Sequence, residues 1–185
     1  MKEIDEIYED MVVLFEEANG NFIKNNKDLI ESNVAERTLC GALKECIDCA
    51  KCKTEYKNYS ADVEYNRNKK GVVKTIIDAD FKVIKINCDL ILHSRGKCVE
   101  LDNLIAIEMK KSERPQAEKD SDRNRIIALT KDSYDDVWSF DGKTLPEHVC
   151  RYVLGVYYEI DIAQKTVYLE YYRRGELVKN ISFAI

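Results

Sequence analysis

Apolar residues near the start of the chain return at helical spacing. Ile4, Ile7, Met11, Leu14, Phe15, Ala18 and Phe22 fall on one stripe with acidic residues opposite, which predicts an opening amphipathic helix. A polar start at Ser32 or Asn33, followed by Leu39, Ala42, Leu43 and Ile47, predicts a second helix reaching about residue 49. Beyond residue 59 the period shortens. Segments 59–66, 79–85, 88–93 and 104–110 are rich in β-branched and aromatic residues with Asn, Gly and Lys between them, and they predict strands. A short helix over 122–131 has Ile126, Ile127 and Leu129 to bury, and strands over 152–160 and 166–173 close around a polar turn. The order helix, helix, strands, helix, strands predicts a central mixed sheet flanked by helices, in the α/β (α+β) class. With 185 residues, 2 Pro, 7 Gly and no repeat or linker, a single domain over 1–185 is expected.

No apolar run approaches the roughly 20 residues that cross a bilayer. The opening MKEIDEIYEDM is too acidic for a secretory leader. Seven cysteines, an odd number without secretory context, read as reduced thiols in a cytoplasmic protein with no membrane partner. A net charge of −5 argues at first against nucleic acid, yet residues 65–131 carry 15 Lys and Arg against 10 Asp and Glu. Residues 1–64 carry 8 against 15, and residues 132–185 carry 6 against 9. The one basic third contains the candidate chemistry, and phosphate binding depends on the local field. Chance clustering of surface Lys and Arg accounts for the charge alone equally well.

That chemistry lies on two of the strands. Alternation along 103–110 sends Ile105, Ile107 and Met109 to one face and Ala106, Glu108 and Lys110 to the other. On the preceding strand Asp89, Ile91 and His93 share a face opposite Cys88, Leu90 and Leu92. If the two strands pair, Asp89 and Glu108 converge. Two carboxylates held close repel unless a cation lies between them, and hard oxygen ligands suit Mg²⁺ or Mn²⁺. Lys110 beside them can orient a water and offset charge on a phosphoryl transition state. A solvated Glu108–Lys110 pair with Asp89 as a turn-end acid is the plainer alternative. Glu36 heads the stripe Leu39, Cys40, Leu43 of its helix, so it needs a partner if buried; as an exposed first-turn acid, the helix dipole suffices.

The segments Asn33-Val34-Ala35-Glu36-Arg37-Thr38-Leu39, Val63-Glu64-Tyr65-Asn66-Arg67-Asn68, Cys88-Asp89-Leu90-Ile91-Leu92-His93-Ser94-Arg95-Gly96 and Asn103-Leu104-Ile105-Ala106-Ile107-Glu108-Met109-Lys110-Lys111 resemble bacterial members of the PD-(D/E)XK nuclease superfamily. The resemblance spans roughly residues 32–160, leaving 1–31 as a helical extension and 161–185 as C-terminal strands. It implies a restriction-endonuclease-like αβββαβ core and metal-dependent hydrolysis of nucleic acid, DNA foremost. By matching position, Asp89 and Glu108 would be the metal carboxylates and the Met109 backbone carbonyl a further ligand. Lys110 would be the catalytic lysine and Glu36 the acid of the first core helix. Cys88 stands where the motif has proline.

Around this core, His93, Arg95, Lys111, Arg123 and Arg125 are candidate phosphate contacts. His93 reads equally as a supporting or surface residue, and Arg125 as the partner of a site carboxylate. Glu64 and Tyr65 carry either a direct or a cross-strand role. Cys40, Cys46, Cys49 and Cys52 read as a reduced, partly buried set rather than a zinc or iron–sulfur centre. Six of the 11 tyrosines cluster in the last strands, where an amphipathic edge or a homodimer face accounts for them. Rival expectations are a catalytically silent nuclease-fold module that binds nucleic acid or protein, and the nuclease subunit of a larger defence or mobile-element system.

Overall fold

The computed structural model describes residues 2–65, 75–77, 83–85, 88–132 and 151–185, with backbone only at 75–77 and 83–85. Its opening helix α1, Ile4–Asn25, buries the expected stripe Ile7, Met11, Leu14, Phe15, Ala18 and Phe22. A short α2, Lys27–Glu31, leads to α3, Glu36–Lys51, which buries Leu39, Cys40, Leu43 and Ile47. This helix starts later than its polar residues predict. Asn33 adopts a left-handed φ of 55°, a conformation asparagine tolerates better than most residues, and so breaks the chain between α2 and α3.

The strands are β1 (Ser60–Val63), β2 (Thr75–Ile77), β3 (Val83–Lys85), β4 (Leu90–His93), β5 (Asn103–Lys111), β6 (Leu154–Asp161), β7 (Thr166–Arg173) and β8 (Glu176–Ala184), with α4 (Gln116–Thr130) between β5 and β6. Six of them form one mixed sheet in the order β1-β4-β5-β6-β7-β8. Among the described strands only the β5–β6 pair, joined through α4, is parallel. Strands β2 and β3 pair with each other as a separate two-stranded sheet. Of the strand expected over 79–85, residues 79–82 lie outside the described residues, as do 66–68 and Cys150. Among the described residues no helix is long and apolar enough to cross a membrane.

Alternation divides the sheet into two unlike faces. Leu90, Leu92, Ile105, Ile107, Met109, Val156, Tyr158, Leu169 and Tyr171 pack with α1 and α3 in the main core. On the other face Ile91, Ala106, Tyr157 and Tyr172 pack with Ile126, Ala128 and Leu129 of α4. Cys88 belongs to this second cluster rather than to the face of Leu90 and Leu92, as strict alternation predicts. The reason is local: Asp89 is a bend before β4 begins, so the period of two does not run back through it.

Helix α4 begins six residues earlier than its apolar pattern indicates, directly after Pro115. Its first two turns bury the charged residues Lys119 and Asp122, which no hydrophobic period reveals. The helix sits very close to the sheet at Gly155, where a Cβ would stand 2.6 Å from Ile126 Cγ2 and 2.7 Å from Thr130 Cγ2. Its far end is clamped by the β7–β8 turn, in which Arg174 (φ 51°) and Gly175 (φ 80°) take the paired positive angles of a tight hairpin. The Gly175 N–H donates to Thr130 Oγ1 at 3.2 Å.

Gly155→Val therefore forces branched methyls into Ile126 and Thr130 and lifts α4. Overpacking of this kind costs about 1–3 kcal/mol, so the urea midpoint should fall measurably. An unchanged midpoint would show that α4 is free to ride outward.

Candidate active site

Pairing of β4 with β5 is antiparallel, with Leu90 opposite Ile107, so the next step of the register sets Asp89 opposite Glu108. Strand β4 has not begun at Asp89, and the Met109 N–H would lack a strand partner there. The Asp89 side chain supplies one: Oδ2 accepts the Met109 N–H at 2.8 Å. In a strand the N–H and C=O of one residue point the same way. The Met109 carbonyl accordingly faces the Asp89 side as well. Glu108 and Lys110 lie on the α4 face of β5, with the apolar Ile107 and Met109 turned to the main core.

Glu108 is 0% exposed and divides its oxygens unequally. Oε1 accepts Arg125 Nη1 at 2.7 Å, while Oε2 is buried without a hydrogen-bond partner. Burial pushes the Glu108 carboxyl well above the usual carboxylate range, the Asp89 charge pushes it further, and Arg125 opposes both. Asp89 is also raised, chiefly by burial, with the Met109 N–H and the Lys110 charge pulling the other way. Burial disfavours the Lys110 ammonium, but its ion pair with Asp122 and the charges of Asp89 and Glu36 outweigh that, and its pKa is raised.

Lys110 Nζ stands 3.0 Å from Asp122 Oδ2 and 3.9 Å from Glu36 Oε2. Asp122, on α4 and 3% exposed, also accepts Arg125 Nη1 through Oδ1 at 3.1 Å. Glu36 opens α3 with two sets of partners. Its Oε1 accepts the Lys111 N–H at 3.1 Å and Arg114 Nε at 3.0 Å. Four residues singled out from the sequence, Glu36, Asp89, Glu108 and Lys110, thus lie around one end of β5, and Arg125 completes the group from α4.

The remaining candidates stand apart from it. His93 Nε2 is 3.0 Å from Asp62 Oδ2, and Arg95 Nε donates to the same oxygen at 2.8 Å. These two are four and six residues beyond Asp89, so His93 is about 13 Å along the strand. Tyr65 joins them, its ring centroid 4.7 Å from that of His93, and Glu64 meets Arg37 at 3.4 Å. Lys111 turns its ammonium to Asn33, whose carbonyl is 3.2 Å away. Arg123 donates to Glu170 at 2.9 Å and lies 4.0 Å over the Tyr157 ring. Cys40 is buried with Sγ 3.8 Å from Met109 Sδ, while Cys49 and Cys52 are exposed; the six described cysteines are all free.

Two members of the group escaped the sequence reading, Asp122 and Arg114. For Asp122 a signal existed: it stands three residues before Arg125, a spacing that shares a helix face. Among the described residues no three His, Cys, Asp or Glu side chains gather as a metal-binding set. Asp89, Glu108 and the Met109 carbonyl nonetheless make a donor set that suits Mg²⁺, which keeps several waters and takes few protein ligands. The buried, unpartnered Oε2 of Glu108 fits the same ion.

The raised carboxyls carry a pH dependence. A carboxyl whose pKa rises on folding favours the fold below its unfolded value of about 3.9 and loses that stabilisation as pH climbs through the folded value. Asp89→Asn keeps an acceptor for Met109 and removes this loss. In chelator at pH 8 its thermal midpoint should exceed that of the unsubstituted chain, by roughly 2–4 °C per kcal/mol, with the gap closing near pH 4. A gap constant with pH would mean that Asp89 is not held against ionisation. Comparison of the chain with protein-family models, with curated proteins and with solved structures returned no match.

Proposed function

We propose that this chain is a metal-dependent nuclease of the PD-(D/E)XK superfamily, hydrolysing phosphodiester bonds of nucleic acid, DNA foremost. One observation carries the reading. Glu108, with a buried Oε2 that no N–H or O–H donor reaches, stands on β5 across from Asp89, the residue just before β4, and Lys110 projects from the same face. With the separate β2–β3 pair between β1 and β4 set aside, the order α3, β1, β4, β5, α4 and β6, in which three antiparallel strands precede a helix and a strand parallel to the third, supports the restriction-endonuclease-like core. The free thiols suit a reducing compartment such as the cytoplasm.

Asp89, Glu108 and the Met109 carbonyl would hold Mg²⁺ or Mn²⁺. A cation there supplies a Lewis acid for the phosphate and makes a nearby water more acidic. Lys110, its ammonium steadied by Asp122 and Glu36, orients the attacking water and offsets charge that builds on the phosphoryl oxygens. Glu36 assists the water or a second cation from across the site. Water attacks phosphorus in line, the bond to the leaving sugar oxygen breaks, and no bond forms to the protein.

A second reading has its own observation. Arg125 occupies Glu108 Oε1, as an internal cation would in a catalytically silent module that binds nucleic acid or a protein partner. Calorimetry with Mn²⁺ separates the two, since a silent module takes up none.

Purified protein with Mg²⁺ or Mn²⁺ should cut single- or double-stranded DNA. Asp89→Ala and Lys110→Ala should each lower the rate by about 10²-fold or more. Equal cutting by all three proteins would assign the activity to a contaminant.

A further inference from the structure

Lys110 poses an electrostatic difficulty for the site just proposed. Its ammonium leaves β5 on the same face as Glu108, two residues on, and its charge already acts on Asp89. An ammonium without another anchor would settle onto Asp89 and Glu108 and take the place a divalent cation needs. The structure gives it another anchor. Asp122 approaches from α4, is 3% exposed, and brings Oδ2 within 3.0 Å of Nζ. The other acid near Nζ, Glu36, stands at 3.9 Å and is committed to Arg114 and the Lys111 N–H.

Asp122 is also held firmly. Its helix rests on the sheet at Gly155 and buries Ile126 and Leu129 four and seven residues further on. Its second oxygen takes Arg125, so the buried carboxylate is divided between two cations. Burying a carboxylate is costly unless it is paired, and both pairings face the candidate metal site.

We infer that Asp122 is a positioning residue: from α4 it draws the Lys110 ammonium away from Asp89 and Glu108, leaving those carboxylates open to a divalent cation. The inference rests on the metal-dependent reading above and extends it to a residue on a different element. It separates three roles that look alike in a static picture, namely a metal ligand, a tie between α4 and β5, and a guide for Lys110.

A double-substitution cycle read by calorimetry tells them apart. Metal-free full-length chain is titrated with MnCl₂ as the unsubstituted protein, Asp122→Asn, Lys110→Met and the pair combined. Asp122→Asn should weaken Mn²⁺ binding about tenfold, as loss of an orienting partner does elsewhere. In the Lys110→Met background, where no ammonium can fall onto the carboxylates, the same change should cost about twofold or less. An equal loss in both backgrounds overturns the inference, because Asp122 would then act as a ligand or through its own charge. No loss in either overturns it too, leaving a tie between elements. Asp122→Ser gives the same cycle should the Asn variant not fold. An unsubstituted chain that takes up no Mn²⁺ overturns the metal reading of Asp89 and Glu108 itself, and this inference with it.

Discussion

The Met109 amide has no strand beside it to receive its hydrogen bond, because β4 starts two residues beyond Cys88, the position opposite Met109, and the Asp89 carboxylate receives it instead. Much of the site follows from that substitution. It fixes Asp89 by a hydrogen bond to β5, sets it across from Glu108 in register, and turns the Met109 carbonyl to the same edge. A ladder continued through Cys88, two residues further, would satisfy the amide with backbone and free the Asp89 carboxylate from it. The acid is therefore placed by an unfinished ladder.

The two faces of the sheet have divided the work. Toward α1 and α3 the packing is apolar apart from a few tyrosine and asparagine hydrogen bonds, such as Tyr158 Oη to Asn19 at 2.7 Å. Toward α4 an apolar cluster is joined by buried charge, and Glu108, Asp122, Glu159 and Glu170 are each matched to a cation. Lys110 and Arg125 share Asp122, Lys119 meets Glu159 at 3.0 Å, and Arg123 meets Glu170. Among the described residues, Arg95, Lys110, Lys119, Arg123 and Arg125 of the basic middle third are paired with Asp62, Glu108, Asp122, Glu159 and Glu170.

How much of this was legible before any coordinates can be traced residue by residue. The stripe of α1, the strands β5 and β7 and the shared face of Glu108 and Lys110 follow from period alone, since burial on one side enforces it. Asp89 on the side of Glu108 was legible for the same reason. The side of Cys88 was not, because a bend interrupts alternation where the ladder is unfinished. The first turns of α4 were hidden as well: Lys119 and Asp122 are buried through ion pairs, and pairing is a property of three-dimensional neighbours that sequence periodicity does not record. Glu36 was left between two roles, and its contacts with Lys111 and Arg114 come from residues 75 and 78 positions away.

The clamp between the β7–β8 turn and the end of α4 has a consequence in time. Gly175 reaches Thr130 from a hairpin that is made well after every acid and base of the candidate site has left the ribosome. A domain folds as a unit, so the helix carrying Asp122 and Arg125 gains its clamp at Thr130 only once the last two strands have been made.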